Sequence, residues 1–441
     1  MCRKMKDSGV SWIGEIPADW SLKTIKQLMC ERNEKNKDLE IKTILSLSAK
    51  NGVTLYDGEN HSGNKPREDL SDYKIVREND IVVNSMNILS GSVGLSRYTG
   101  VVSPVYYVYY PRYNDNIEFF HFLFQSYEFQ RSLRGLGNGI LIKETETGAL
   151  NTIRIRIPSK KLGMQVFPVC TTEEQNKIVE FLRNKIQSIE CLIYNQEKQI
   201  EKLTQYKQSL ITETVTIGLN SNVETKDSGI DWIGCIPVHW NIARVRDFGI
   251  PQNGISKGGE SFGSGYPFVS YGDVYRNLEL PKEVAGLIET TEKEQETYSV
   301  QKGDIFFTRT SETIEEVGFS CVCNETIPMA VYAGFLIRLR PYNDMIHTSF
   351  AKYYFRGNHI RRYLVKEMNL VTRASLGQNL LKSMSILVPP KEEQIRIADY
   401  LDSQCSKIDS LIAIKQKKIE KLQQYKKSII YEYVTGKKAV L

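Results

Sequence analysis

The chain has 441 residues, 41% of them apolar, with 58 Lys and Arg against 52 Asp and Glu for a net charge of +6. That length calls for about two to four domains with cores of their own and excludes a small disulfide-stapled module. A charge this mild does not by itself select DNA or any other acidic partner.

The first residues, MCRKMKDSG, are polar and contain no apolar signal region. No run approaches the roughly 20 apolar residues of a bilayer span. A cytoplasmic protein with no membrane association is expected. The eight Cys (Cys2, Cys30, Cys170, Cys191, Cys235, Cys321, Cys323, Cys405) are dispersed without a CxxC pair, and His is scarce, so neither a metal site nor a disulfide framework is expected.

Residues 7–20 read DSGVSWIGEIPADW. The first variable block, 21–170, follows with strand-like runs at Ile41–Leu47, Ile81–Asn84, Val101–Tyr110 and Ile153–Ile157, punctuated by Pro, Gly, Asp and Asn. A helical stretch, Ile117–Leu133, carries Phe119, Phe120, Phe122, Leu123, Phe124 and Tyr127. A Gly- and Thr-rich loop follows at Gly137–Gly148.

The next segment, 173–214, has no Pro or Gly and is rich in helix formers. Its apolar positions Leu182, Ile186, Ile189, Ile193, Ile200, Leu203 and Leu210 follow a 4,3 spacing, with Gln196 and Lys207 in two of the slots. That is the seam of a coiled coil. Thr171–Thr172 before Glu173–Glu174 suits a helix start, and Gly218 a helix stop.

The second half then repeats the first. DSGIDWIGCIPVHW at 227–240 echoes residues 7–20 at an offset of 220. A second variable block, 241–390, has strand-like Phe268–Ser270, Ile305–Arg309 and Ala333–Arg340, then a helical stretch at 349–368. Asn79-Asp80-Ile81-Val82 matches Gly303-Asp304-Ile305-Phe306, and the loop Gly137–Gly148 matches Leu370–Gly377. Pro389–Pro390 precedes a second long helical segment, which Gly436 closes. This segment, from Glu392, shares 19 of 42 positions with the one from Glu173, and its seam is Leu401, Cys405, Ile408, Ile412, Ile419, Leu422 and Ile429. A helix of 42 residues is about 60 Å long. Two equivalent seams in one chain most simply pack antiparallel; pairing with another chain is the alternative. The boundaries read 1–170, first globular domain; 171–218, first long helix; 219–390, second globular domain; and 391–436, second long helix.

Near-identical connectors around two dissimilar blocks suggest different ligands read through one geometry. Loop side chains suited to phosphates and base edges are Lys50, Asn51, Asn84, Asn87, Arg97 and Lys143 in the first block. In the second they are Lys257, Tyr271, Arg309, Thr310, Arg373 and Gln378. No Walker-type loop, AdoMet-type glycine motif, Asn-Pro-Pro-Tyr sequence or nucleophile–His arrangement is found. The glycine-rich GISKGGESFGSG at 254–265 lacks the spacing of a phosphate loop.

The chain resembles the specificity subunits of type I restriction–modification systems over essentially its whole length. The resemblance rests on the W-IG-IP--W segments at Trp12–Trp20 and Trp232–Trp240, the EQ helix starts at Glu174–Gln175 and Glu393–Gln394, and the IEKL-QYK-S-I-E helix ends at 200–213 and 419–432. NDIVVNSMN at 79–87 and SPVYYVYYP at 103–111 add to it. SKKLGMQVFPVCTTEEQ stands where the second half has the compact PP-x-EEQ, and reads as a short insertion. The resemblance implies an α+β fold in which two mixed α/β target-recognition domains are separated by two antiparallel coiled-coil helices, with a pseudo-two-fold internal repeat. It implies binding to a bipartite site in double-stranded DNA, and assembly with two methyltransferase subunits and with restriction (translocase) subunits. It also implies no catalytic residue and no cofactor in this chain: AdoMet, and ATP with Mg, belong to the partner subunits. Two other readings stay open on the residues alone, a coiled-coil scaffold with two protein-binding heads and a single-chain enzyme.

Overall fold

The computed structural model describes residues 3–58, 66–137, 156–220, 222–311, 316–367 and 374–440. The chain divides into two compact units, one of Met1–Gln196 with Lys417–Leu441 and one of Glu197–Gln416.

The core sheet of the first unit has four antiparallel strands in the order Met29–Glu31, Tyr106–Pro111, Ile81–Asn84, Val93–Leu95. The second unit repeats it as Gly249–Asn253, Leu336–Pro341, Ile305–Thr308, Ser320–Val322. The central strands Ile81–Asn84 and Ile305–Thr308 are buried at every residue, which is why they are near-continuous β-branched and aromatic runs. The recurring Asp before each is buried. Asp80 accepts from Arg32 Nε (2.8 Å) and the Arg77 amide, and Asp304 from Arg340 Nε (2.7 Å) and the Gln301 amide. Unpaired, either carboxylate would be costly to bury.

The expected aromatic helix is two helices, Ile117–Gln125 and Tyr127–Ser132, parted at Ser126, which has extended backbone. Five of the nine residues in the first are buried, because this helix fills the space between sheet and long helix rather than lying on the surface. Phe124, Phe129 and Phe167 meet edge-to-face at centroid distances of 4.9–5.7 Å, with Trp12 against Phe129 at 5.3 Å. The run Val101–Tyr110 is likewise two strands, Gly100–Val102 and Tyr106–Pro111, separated by a turn at Ser103. SKKLGMQVFPV is no insertion. It forms the helix Ser159–Gly163 and the strand Val166–Val169, the counterparts of Gln378–Ser383 and Ser385–Val388. These last strands pair with Ser21–Thr24 and Asn241–Arg244; the helix and last strand keep the 219-residue offset of the long helices, and their partners the 220 of the opening segments.

The long helices are Thr172–Ile217 and Lys391–Val434. In the first unit, Glu190 meets Lys426 Nζ (2.6 Å) and Phe181 packs on Tyr433, an antiparallel pairing. In the second unit Lys207 Nζ meets Asp409 (2.6 Å) and Lys415 Nζ meets Gln199 (2.5 Å), again antiparallel. Lys207–Asp409 and Lys426–Glu190 are the same pair one repeat apart, so the lysines in the seam are used to set register. Within the seam Leu182, Ile189, Leu401 and Ile408 are buried, while Ile193, Ile200, Leu203, Ile412, Ile419 and Leu422 are half-buried. Two helices cover each other less completely than a head covers a helix.

Each head is joined to its helices in one way. Trp20 Nε1 donates to Glu174 (3.0 Å), and Trp240 Nε1 to Glu393 (3.1 Å). The neighbouring Gln175 and Gln394 are fully buried. Their amides accept from the Asn116 and His347 backbone N–H groups and donate to the Cys170 and Pro389 carbonyls. The EQ pair is therefore a clamp between head and helix start. The helix ends complete it: Gly436 (φ 70°) lies against Pro17 and Trp20, and Gly218 (φ 87°) against Trp240 and Glu393.

A Cβ at Gly436 would lie 2.5 Å from Pro17 Cδ, whereas one at Gly9 (φ 66°) meets nothing within 4 Å. Both Gly→Ala changes carry the left-handed backbone cost of about 1–2 kcal/mol. Gly436→Ala should cost clearly more than Gly9→Ala in denaturant unfolding, and equal losses would refute the contact. His359 is fully buried, both its ring nitrogens lack a hydrogen-bond partner among the described residues, and burial holds its pKa down to about 3. The unfolded ring titrates near 6.5, so stability is full above that pH and falls as pH drops below it, by about 2 kcal/mol at pH 5. His359→Phe should flatten the fall in melting temperature between pH 7 and pH 5.

Candidate nucleic-acid interface

In both units, one end of the central strand collects loops from distant parts of the chain. In the first unit Asn84 pairs with Tyr106, which sets the 84–87 turn beside the Ser103 turn, and Ser85 Oγ donates to the Val105 carbonyl (2.8 Å). The Ile157 amide donates to the Ser85 carbonyl (3.0 Å), bringing exposed Arg156 to the same end. The hairpin Leu45–Ser48/Gly52–Leu55 lies against the edge strand so closely that a Cβ at Gly94 would stand 2.7 Å from Val53 N. Its turn, with exposed Lys50 and Asn51, reaches the loop at Gly91.

Lys50, Asn51, Asn84 and Asn87 are thus neighbours. Asn87 is exposed, but Asn84 is buried and its Oδ1 accepts from the Met86 amide (3.0 Å), which makes it a turn former. Arg97 is exposed at the opposite end, because Ile81 pairs with Leu95. Lys143 lies outside the described residues.

The second unit builds the same end from different residues. Arg309 follows the central strand: its amide donates to the Phe335 carbonyl (2.8 Å) and its Nη1 to the Gly334 carbonyl (3.2 Å). Thr310 pairs with Ser375, and the Leu376 amide donates to the Arg309 carbonyl, which brings in Gln378 two residues on. Tyr271 and Thr308 both donate to the Glu316 carbonyl, at 3.0 and 2.8 Å. Burial raises the Tyr271 hydroxyl above its ordinary pKa, so it stays a donor at neutral pH. Thr310 Oγ1 is buried and has no partner among the described residues. Lys257 differs from the rest, since its ammonium is held by Glu294 and the Glu289 carbonyl, both at 2.8 Å. Arg373 lies outside the described residues.

Phe335, 63% exposed at the turn beside Arg309, escapes sequence reasoning, because an aromatic within AGFLIRL reads as core. Among the described residues, the side chains at this end include amide, hydroxyl, ammonium, guanidinium and exposed aromatic groups. They can donate and accept at base edges and stack. Among the described residues no group of His, Cys, Asp and Glu could hold a metal, and no helix is long and apolar enough to cross a membrane.

Asn84→Ala should lower stability by about 1 kcal/mol, by releasing the Met86 amide, and Lys50→Ala should leave it unchanged. Denaturant midpoints of the two variants check this, and equal midpoints would contradict the separation.

Residues 237–424 match the model of the type I restriction modification DNA specificity domain. A putative type I restriction enzyme MjaX specificity subunit from Methanocaldococcus jannaschii is 24% identical over 96% of this chain and 95% of its own length. The MjaVIII specificity subunit of the same organism is 25% identical over 61% of each chain. The fold is similar, with a TM-score of 0.69 and 15% identity, to a chain solved in work on the complex assembly and conformational transition of the type I R-M system; the likeness covers 95% of this chain and 98% of that one. With the family model over residues 237–424 and a relative along nearly its whole length, the chain is similar to the specificity subunits of type I restriction–modification systems.

Proposed function

We propose that each head reads one half of a bipartite site in double-stranded DNA through the loops at the end of its central strand, and that the chain itself performs no chemistry. One observation carries this reading: the same sheet end is built twice from the same backbone parts, with Lys50, Asn51 and Asn87 in one unit and Arg309, Thr310, Gln378 and exposed Phe335 in the other. A shared scaffold with different donors and acceptors suits two different base sequences. The paired helices serve as the spacer that sets the unread gap.

Methyltransferase subunits are the partners of the spacer, two of them, with restriction subunits joining the assembly. Support comes from its surface. Leu192 and Tyr425 are exposed in the first unit, and Leu411 and Tyr206 in the second, at positions one repeat apart. A repeated pair of exposed apolar side chains suits two copies of one partner. AdoMet and ATP with Mg then belong to those subunits, and the complex works in the cytoplasm on chromosomal DNA.

The test is to map methylated adenines genome-wide in cells carrying this chain with its methyltransferase. A split motif is expected. Inserting or deleting one heptad in Thr172–Ile217 should change the gap and leave both half-sites intact. A continuous motif, or a gap unmoved by the heptad, overturns the reading.

A further inference from the structure

The backbone of a duplex is the same ligand at every sequence. A part of the interface that serves it should recur in both heads, while the base-reading loops diverge. One charged feature recurs in this way. The helix Tyr127–Ser132 packs on the loop at Gly91, where a Cβ would stand 3.6 Å from Gln130 Oε1. Its counterpart, Asn358–Glu367, packs on the loop at Gly318, where a Cβ would stand 2.2 Å from Leu364 Cδ1. Gly91 and Gly318 each lie two residues before the edge strand of their sheet, so both helices border the loop-bearing end described above.

The inner faces correspond: Phe129 in one helix and Leu133 capping its end are fully buried, as are Ile360 and Leu364 in the other. Counted from those positions, Arg131 and Arg362 fall at one equivalent place, and both are exposed. A second exposed cation follows each within one turn, Arg134 in the first unit and Lys366 in the second. In the second unit Arg362 and Lys366 line a shallow depression with Asn358 and Val365. The nearby Arg361 has a different role, since its Nη1 donates to the Val317 carbonyl and its guanidinium lies over Phe319. Lys366 faces Asp231 at 3.6 Å, but both side chains are largely exposed, and such a pair is weak enough for a phosphate to displace it. The acids of these helices sit at their ends: Glu128 is bonded to Ser126 Oγ (3.2 Å) at one start, and Glu367 is the last residue of the other.

We infer that these two helices are the phosphate grips of the heads, with Arg131 on the first and Arg134 in the turn that ends it, and Arg362 and Lys366 on the second, engaging the DNA backbone beside each half-site. This rests on the DNA reading proposed above. It adds a sequence-independent contact that neither the loop chemistry nor the repeated motifs indicate.

The experiment uses the chain assembled with its methyltransferase subunits. Affinity for a duplex carrying the mapped site, and for an unrelated duplex, is measured from 50 to 300 mM salt. Each lost phosphate contact makes the slope of log affinity against log salt shallower by about 0.9. Arg131→Ala/Arg134→Ala and Arg362→Ala/Lys366→Ala should each flatten the slope by about 2, weaken both duplexes by the same factor, and leave the methylated motif unchanged. Arg131→Lys/Arg134→Lys should keep the wild-type slope. An unchanged slope in the alanine variants, a loss confined to the specific duplex, or a lysine variant as impaired as the alanine one overturns the assignment. A wild-type complex with no preference for its site would instead bring down the DNA reading itself.

Discussion

The structure depends on how a head is tied to the start of a long helix. An indole N–H must find an acceptor when buried, and a glutamate in the first helical turn is stabilised by the helix dipole. Trp20 with Glu174 and Trp240 with Glu393 satisfy both needs in one hydrogen bond. The indole then has a face left to cover, and the glycine ending the other long helix lies against it: Gly436 for Trp20, Gly218 for Trp240. A larger residue could neither adopt the left-handed turn cheaply nor leave room for the ring. The three most conspicuous repeated features of the chain, the W-IG-IP--W segment, the EQ helix start and the glycine after the helix, are thus parts of one joint.

Around this joint the two halves have diverged while keeping positions. In the first unit Arg183 on the long helix meets Glu118 on the aromatic helix (2.8 Å). One repeat later the helix position is Asp402, which holds Lys352 and accepts from Tyr353 Oη (2.6 Å). The tie stays in place and its charge reverses, so each head is matched electrostatically to its own helix. Buried carboxylates show the converse, because Asp80 and Asp304 hold the same turn while their arginines come from different places, Arg32 just after the edge strand Met29–Glu31 and Arg340 within Leu336–Pro341. A carboxylate needs a cation nearby and does not dictate which strand supplies it.

The loop-bearing end of each sheet follows from the same architecture. Register alone puts the residue after the central strand beside the turn before its neighbour, so any side chains at those positions are brought together. A rigid, fully buried strand can therefore carry variable loops without loss of the fold.

Periodicity and repetition made much of this legible in the sequence. The 4,3 spacing from Leu182 to Leu210 marks the long helices, the 19 identities mark the duplication, and the run Ile81–Asn84 marks a central strand, because period and composition are local properties of the chain. Grouping of the loop residues was not legible, since it depends on register between distant strands. Asn84 and Asn87 look alike in sequence, yet one is buried in a turn and the other faces solvent. Lys257 and Lys50 look alike, yet Glu294, 37 residues away, holds one of them. Phe335 looks like core and is exposed at a turn. Whether a polar side chain is free for a ligand depends on which partners the fold brings within hydrogen-bond reach, and only the tertiary structure decided that.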